Sequence, residues 1–479
     1  VYEGADVSVQ GFSSNKLHIL NAGTVFNQPI EYYGAASNAS AISRINYEYD
    51  NRFMATVNFR ADGSSKFGAD NRWGFFPSFS AGWRISNESF MRDVMWLNDL
   101  KIRVGWGMTG NDQIGNYSSY SIYGTGANYN IDGNILSGYY QSQIGNDKLK
   151  WETTSQTNIG LDMSVLGSRI NFNVDLYRKY TSDLLLMVNL PLSTGFESGI
   201  QNIGKVVNKG VELQLSTRNL TGGFKWNTDF NISFNDNNVL DMANSPVIYT
   251  GALDKKIAGN VSIIKEGLPL GTFWGYEAVG VNPDTGRMMY ENAEGMLVYE
   301  EDLDPDTDRK DIGCAQPLFT YGIGNDFRWK NLSLSILLQG SYGNEIFNAT
   351  RMFTEGMFDS RNQSSAVLMR WRSPGDYTTV PKPEKDNYPV ISSRFVEDGS
   401  WLKIRNVRLG YSFPEKWISR IKLRSLSVYV SADNLVTWTN YSGLDPEVNI
   451  GGTSATAMSI DQGVVPHPRT YVFGVNVVF

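Results

Sequence analysis

The sequence predicts an all-β fold, a transmembrane antiparallel β-barrel, on three observations: two-residue alternation in long segments, sorted link lengths, and a Gly- and aromatic-rich composition. Across 479 residues there are 24 Phe, 25 Tyr, 12 Trp and 47 Gly, with only 19% charged residues. Such chains favour strands and tight turns. The 42 Lys and Arg against 49 Asp and Glu give a formal charge of −7. That balance argues against a nucleic-acid partner, which requires a basic face. The longest apolar run, Leu184 to Val188, is far short of the roughly 20 residues a membrane helix needs. One cysteine, Cys314, and two histidines, His18 and His467, allow neither an internal disulfide nor a Cys/His zinc cluster.

Alternation is the central signal. In Ile170-Asn-Phe-Asn-Val-Asp-Leu176 the apolar residues Ile170, Phe172, Val174 and Leu176 alternate with Asn171, Asn173 and Asp175. Phe224, Trp226, Phe230, Ile232 and Phe234 alternate with Lys225, Asn227, Asp229, Asn231 and Ser233. Leu332, Leu334, Ile336 and Leu338 form a third apolar set, and Leu426, Val428, Val430 and Ala432 a fourth. Successive strand side chains point to opposite faces, so each segment has one oily and one wet face. Soluble sandwiches alternate too, but their strands average about 5–6 residues, whereas these run about 9–12. Acids, amides and Lys on the wet face suit a water-filled lumen.

Fifteen strands are predicted, near 41–49, 53–60, 74–86, 98–109, 154–166, 169–180, 205–217, 224–236, 257–265, 272–283, 319–329, 332–342, 401–413, 423–433 and 469–479. Alternate pairs are joined by short links: Asp50-Asn51, Gly167-Ser168, Thr221-Gly222-Gly223, Gly267 to Gly271, and Lys330-Asn331. Two others are moderate, near 87–97 and 414–422, and the remaining links are mostly long, above all 110–153, 284–318, 343–400 and 434–468. Short turns on one side and long loops on the other are the layout of outer-membrane barrels. An odd count cannot close a single-chain bacterial barrel. With a start at Val1-Tyr2-Glu3 and no Met, it predicts a piece of a longer protein. Residues 1–40 are expected to be an extracellular loop region, and 41–479 the C-terminal part of the barrel. The alternating last strand with its terminal Phe479 resembles the assembly signal of such barrels.

Catalytic motifs are absent: there is no GxSxG elbow, no phosphate-binding Gly-rich loop and no HExxH, so no enzyme and no cofactor is predicted. Asp304-Pro-Asp306-Thr-Asp308 spaces acids like a calcium loop, but Arg309 replaces the required Gly and Ala315 the closing Glu; it reads as an acidic turn, and no metal site is predicted. Asn282-Pro283-Asp284-Thr285-Gly286 is a turn by its chemistry. The candidate ligand-binding residues are the loop aromatics Tyr139, Tyr140, Phe353, Phe358, Trp371, Trp438 and Tyr441. Aromatic faces stack on sugar rings or peptide side chains, although loop packing and an interfacial girdle use the same residues.

Four segments resemble the SusC/RagA group of TonB-dependent outer-membrane transporters of Bacteroidetes. They are Arg60-Ala-Asp-Gly-Ser-Ser-Lys-Phe-Gly68 with Asn71 to Ser78 and Gly82-Trp83; Leu149-Lys-Trp-Glu-Thr-Thr154 leading to Asp162; Asn202 to Glu212; and Asp433 to Glu447, closing with Pro468-Arg-Thr-Tyr471 and Phe479. The resemblance covers essentially the whole chain. It implies a 22-stranded barrel of which this chain supplies strands from about the eighth onward, with the plug and the TonB-contacting segment outside it. It further implies nutrient import driven by TonB, working with a SusD-like surface lipoprotein that closes over the mouth, in a wall surrounded by outer-membrane lipid. The family favours oligosaccharide cargo, with oligopeptides as the alternative and a passive porin-like barrel as a second one. Many relatives carry an aspartate-rich stretch near 290–300, where this chain has Glu291-Asn-Ala-Glu-Gly295. That departure lowers any expectation of calcium.

Overall fold

A computed structural model describes residues 2–479 apart from 15, 17, 18, 28, 29, 244–246, 254–258 and 453, so His18 lies outside the described residues. Among them, one 13-stranded antiparallel sheet dominates. Its strands are β1 (Asn38–Tyr49), β2 (Phe53–Ser64), β3 (Trp73–Arg84), β4 (Leu97–Asn111), β5 (Glu152–Val165), β6 (Ile170–Ser182), β7 (Lys205–Thr221), β8 (Phe224–Asp241), β9 (Phe319–Trp329), β10 (Leu332–Tyr342), β11 (Trp401–Ser412), β12 (Ser425–Thr439) and β13 (Thr470–Val478). Each pairs with its sequence neighbours, a continuous meander from β1 to β13.

The links alternate between the two ends of the strands. On one side lie 50–52, 85–96, 166–169, 222–223, 330–331 and 413–424; on the other lie 65–72, 112–151, 183–204, 242–318, 343–400 and 440–469. The tight turns have the backbone their residues permit. Asp50 and Asn51 both take φ of 51°, Gly167 takes 67° and Lys330 takes 53°. Two consecutive left-handed residues give a turn whose twist matches that of the flanking strands.

The register carries the apolar set straight across the sheet. Ile102, Leu161, Val174, Leu213, Ile232 and Tyr321 stand opposite one another in turn on six successive strands. So do Leu100, Met163, Phe172, Leu215, Phe230, Ile323 and Leu338. These rows are one continuous oily face, and ionic and amide side chains occupy the other. Apolar surface turned outward over a polar interior is the pattern of a sheet whose outer solvent is lipid.

Two of the fifteen expected strands are not in this sheet. Asn260–Lys265 and Thr272–Gly275 pair instead with Val247–Ala252 and Lys310–Cys314 in a separate 4-stranded sheet. The reason lies in the side chains. Val261, Ile263, Ile264 and Phe273 are all buried, so these short strands are covered on both faces rather than split between lipid and lumen. The wall among the described residues therefore has 13 strands, two fewer than the fifteen expected from sequence. Residues 2–34 form small ribbons, Tyr2–Asp6 with Ile30–Gly34 and Val9–Gln10 with Val25–Phe26.

The largest packed core sits outside the wall, in three long links. Val261, Phe273, Ile312, Phe347, Met352, Ile391, Phe395 and Ile460 form one buried cluster drawn from 242–318, 343–400 and 440–469. Backbone pairing ties the links together: Phe347–Asn348 runs parallel to Ile460–Asp461, and Glu345–Phe347 pairs with Val396–Asp398.

Candidate ligand-binding face and loop body

The wet face of the wall is built from strand parity. Lys101 and Arg103 on β4 share it with Gly160 and Asp162 on β5 and with Asp175 on β6. Arg103 Nε donates to Asp162 at 2.8 Å and its Nη2 to Asp175 at 3.1 Å, while Lys101 Nζ lies 2.8 Å from Asp162. Further along, Tyr177 donates its hydroxyl to Asn235 at 2.8 Å, and Asn235 and Asn237 both donate to Asn208, at 3.1 and 2.9 Å. Asn237 also accepts the Leu270 N–H at 2.8 Å, fastening a long link to the wall. Such a surface is wettable and rich in donors and acceptors, suited to a polar solute.

A second anchor joins wall to loop. At Arg405 β11 carries one residue more than β10 opposes, a β-bulge that turns Lys403 and Arg405 to the wet side. Lys403 is 1% exposed, its Nζ 2.6 Å from Asp445 and 2.5 Å from Glu447. Arg405 also grips Glu447, and bonds Asn434 at 3.0 Å and Gln339 at 2.9 Å. Burial pushes both loop carboxyls up, but Lys403 with the N–H groups of Glu447 and His467 at Asp445, and Arg405 with Lys403 at Glu447, more than offset this and hold both below the ordinary carboxylate range. Asp445, Glu447 and His467 could in principle surround a metal ion. The Lys403 ammonium already fills the cation position between the two acids. The sequence reading missed this cluster. Its signal was an ionic pair, Lys403 and Arg405, in an otherwise alternating strand, together with the acids of Asp445-Pro-Glu447.

The acid loop at 304–308 turns its carboxylates on its own backbone. Asp308 accepts the N–H groups of Ala293 at 2.8 Å and Asp304 at 2.7 Å, and Asp304 accepts that of Asp306 at 2.9 Å. These backbone donors lower the Asp308 pKa.

The seven sequence-selected aromatics do not converge. Tyr139 and Tyr140 lie on a ribbon, Tyr139–Gln143 with Ile122–Thr125, at 72% and 52% exposure. Phe353 is half-buried against the loop core, in edge contact with Phe358 at 6.4 Å. Phe358 is 1% exposed and lies 4.7 Å from the Tyr388 ring, so it serves packing. Trp371 donates to the Pro283 carbonyl at 2.8 Å and covers Gly286, whose φ is +72° and where a Cβ would lie 2.4 Å from the indole. Trp438 pairs with Leu402 on the oily face, which places it in the aromatic girdle. Tyr441 is buried and donates to Asp461 at 2.5 Å; burial and that carboxylate raise its pKa.

Residues 8–435 match the family model described as TonB dependent receptor-like, β-barrel. A TonB-dependent receptor of Formosa agariphila is 34% identical over 500 residues, covering 100% of this chain and 49% of the relative. TonB-dependent receptor SusC of Bacteroides thetaiotaomicron is 31% identical over 500 residues, covering 100% of this chain and 46% of that one. The solved structure of the RagAB peptide transporter superposes with a TM-score of 0.85 at 28% identity, over 100% of this chain and 52% of that chain. The chain thus spans about half the length of the relatives it matches. Their family is one of receptors and transporters, not enzymes. An oily-outside wall, its long-link body and these likenesses together make this chain a member of the TonB-dependent receptor-like β-barrel family of the bacterial outer membrane, in its SusC/RagA group.

Proposed function

We propose that the chain is the C-terminal part of the wall of a nutrient importer, which takes an oligosaccharide across the outer membrane with energy relayed by TonB. Residues 1–40 and the long links face the cell exterior, and a SusD-like lipoprotein closes over them. The observation that carries the reading is the two-faced wall. Its oily face suits lipid, while Arg103, Asp162 and Asp175 line a polar interior beneath a loop body with its own core. Tyr139 and Tyr140, exposed on one ribbon, are the residues proposed to stack on cargo. Phe358 and Tyr441 are withdrawn from that role by their burial.

Oligopeptide cargo is the second reading. It is favoured by the likeness to the RagAB peptide transporter over the whole chain. The test is uptake of labelled oligosaccharides and oligopeptides by cells carrying the intact transporter, with and without functional TonB. Uptake confined to one cargo class and lost without TonB supports the corresponding reading. Uptake that survives loss of TonB overturns active import and leaves a passive pore.

A further inference from the structure

The oily face changes character toward the long links, where wholly apolar rows give way to mixed ones. Its last apolar row runs Val104, Ile159, Leu176, Val211 and Phe234, each opposite the next. The following row on the same face, two residues nearer the long links, runs Trp106, Thr157, Arg178, Lys209 and Asp236. Within one step of about 7 Å along each strand, hydrocarbon side chains give way to an indole, a hydroxyl, two cations and an acid. That change marks the boundary between hydrocarbon and headgroups, with Trp106 as an interfacial aromatic. Because long links are extracellular in such barrels, the boundary belongs to the outer leaflet.

Arg178 and Lys209 stand directly opposite on β6 and β7. Like charges in that position repel and destabilise a sheet unless an anion lies between them. Lys209 has Asp236 on its other side at 3.0 Å, the two side chains 63% and 64% exposed. Arg178 is exposed and has no hydrogen bond or ion pair to any described residue. This stretch of the row therefore carries two cations against one acid, on a surface that faces lipid and not the lumen.

We propose that Arg178 and Lys209 form a clasp on the outward surface of the wall for the phosphate of an outer-leaflet lipid headgroup. The guanidinium offers paired N–H donors that match phosphate oxygens, and the ammonium adds a mobile point charge. The acyl chains of the same lipid would lie along Leu176, Val211 and Phe234. Asp236 competes with the phosphate for Lys209, so the site contains its own antagonist.

The test uses the intact, delipidated transporter complex in detergent, titrated with diphosphoryl lipid A and followed by native mass spectrometry. Arg178→Gln with Lys209→Gln should weaken binding at least tenfold, and Asp236→Asn should strengthen it. Dephosphorylated lipid A should bind wild type and double variant alike. Equal binding of diphosphoryl lipid A by wild type and double variant overturns the proposal. So does a wild-type preference that persists with the dephosphorylated lipid. If the double variant does not fold, Asp236→Asn alone decides: no gain in binding overturns the clasp.

Discussion

Arg103 reaches Asp175 across the backbone of Gly160. The two side chains come from strands separated by β5, and their 3.1 Å contact exists because the intervening residue has no side chain. A Cβ on Gly160 would lie 2.6 Å from both Arg103 Nη2 and Asp175 Oδ1. Gly160→Ala is therefore expected to part this pair while leaving Arg103 on Asp162. Both groups are partly solvated, so the loss in stability should stay within about 1 kcal/mol. A double-mutant cycle between Arg103→Gln and Asp175→Asn checks it: the coupling present in wild type should vanish in the Gly160→Ala background.

Lys403 presents a harsher case. Lys403→Met removes a buried cation, taking the ammonium from Asp445 and leaving Glu447 to Arg405 alone, a change that typically costs about 3–5 kcal/mol. The link 440–469 should loosen from β11 and become sensitive to protease, while the strands keep their β signature by circular dichroism. Acid should have the same effect on the native protein. The folded carboxyls titrate below their unfolded values, so their contribution is complete above the ordinary carboxylate range. It is lost as pH falls through that range toward the folded values. Protease protection of 440–469 that is full at neutral pH and weakens progressively as pH falls below the ordinary carboxylate range is the expected result.

Phe347 lies at the centre of the loop core, beside Phe273 at 6.0 Å and Phe395 at 6.3 Å. Phe347→Ala should destabilise this body by about 3–5 kcal/mol, as large-to-small core changes do. None of its neighbours in that cluster is a wall strand residue. Calorimetry should therefore show the loop transition moving down while the wall transition stays in place.

Tyr139→Ala and Tyr140→Ala should each weaken cargo binding by about tenfold, the effect of truncating one aromatic anchor of more than about 1 kcal/mol. Neither should change thermal stability, because both rings are exposed. Phe358→Ala should do the reverse, lowering stability with little direct effect on affinity. Binding measured by isothermal titration with the cargo identified from uptake, alongside melting curves, separates the two.

The wall was legible because lipid on one side and water on the other impose a period of two on every strand, as in Ile170 to Leu176. Link sorting was legible for a similar reason, since a turn such as Asp50-Asn51 has its own chemistry. The loop body was not. Asn260–Lys265 has apolar residues on both faces, and a short two-sided strand buried in a loop core resembles a wall strand in local sequence. The aromatics could not be told apart for the same reason: Phe358, Trp438 and Tyr139 share a residue class, and only tertiary position assigns one to packing, one to lipid and one to open solvent. Charge clusters such as Lys403 with Asp445 join residues far apart in sequence, where strand parity gives no guidance.

The parallel pairing of Phe347 with Ile460 has a consequence for biogenesis. These residues lie on links separated by β11 and β12, and the same core recruits Phe273 from before β9. Contacts of such sequence separation form late, after the intervening chain has paid its closure entropy. The surface body can thus mature only when β8 to β12 already stand in register. A wall inserted one residue out of step would hold Ile460 away from its partner and leave an unfinished, protease-sensitive exterior, so completion of the exposed face reports on correct insertion of the buried one.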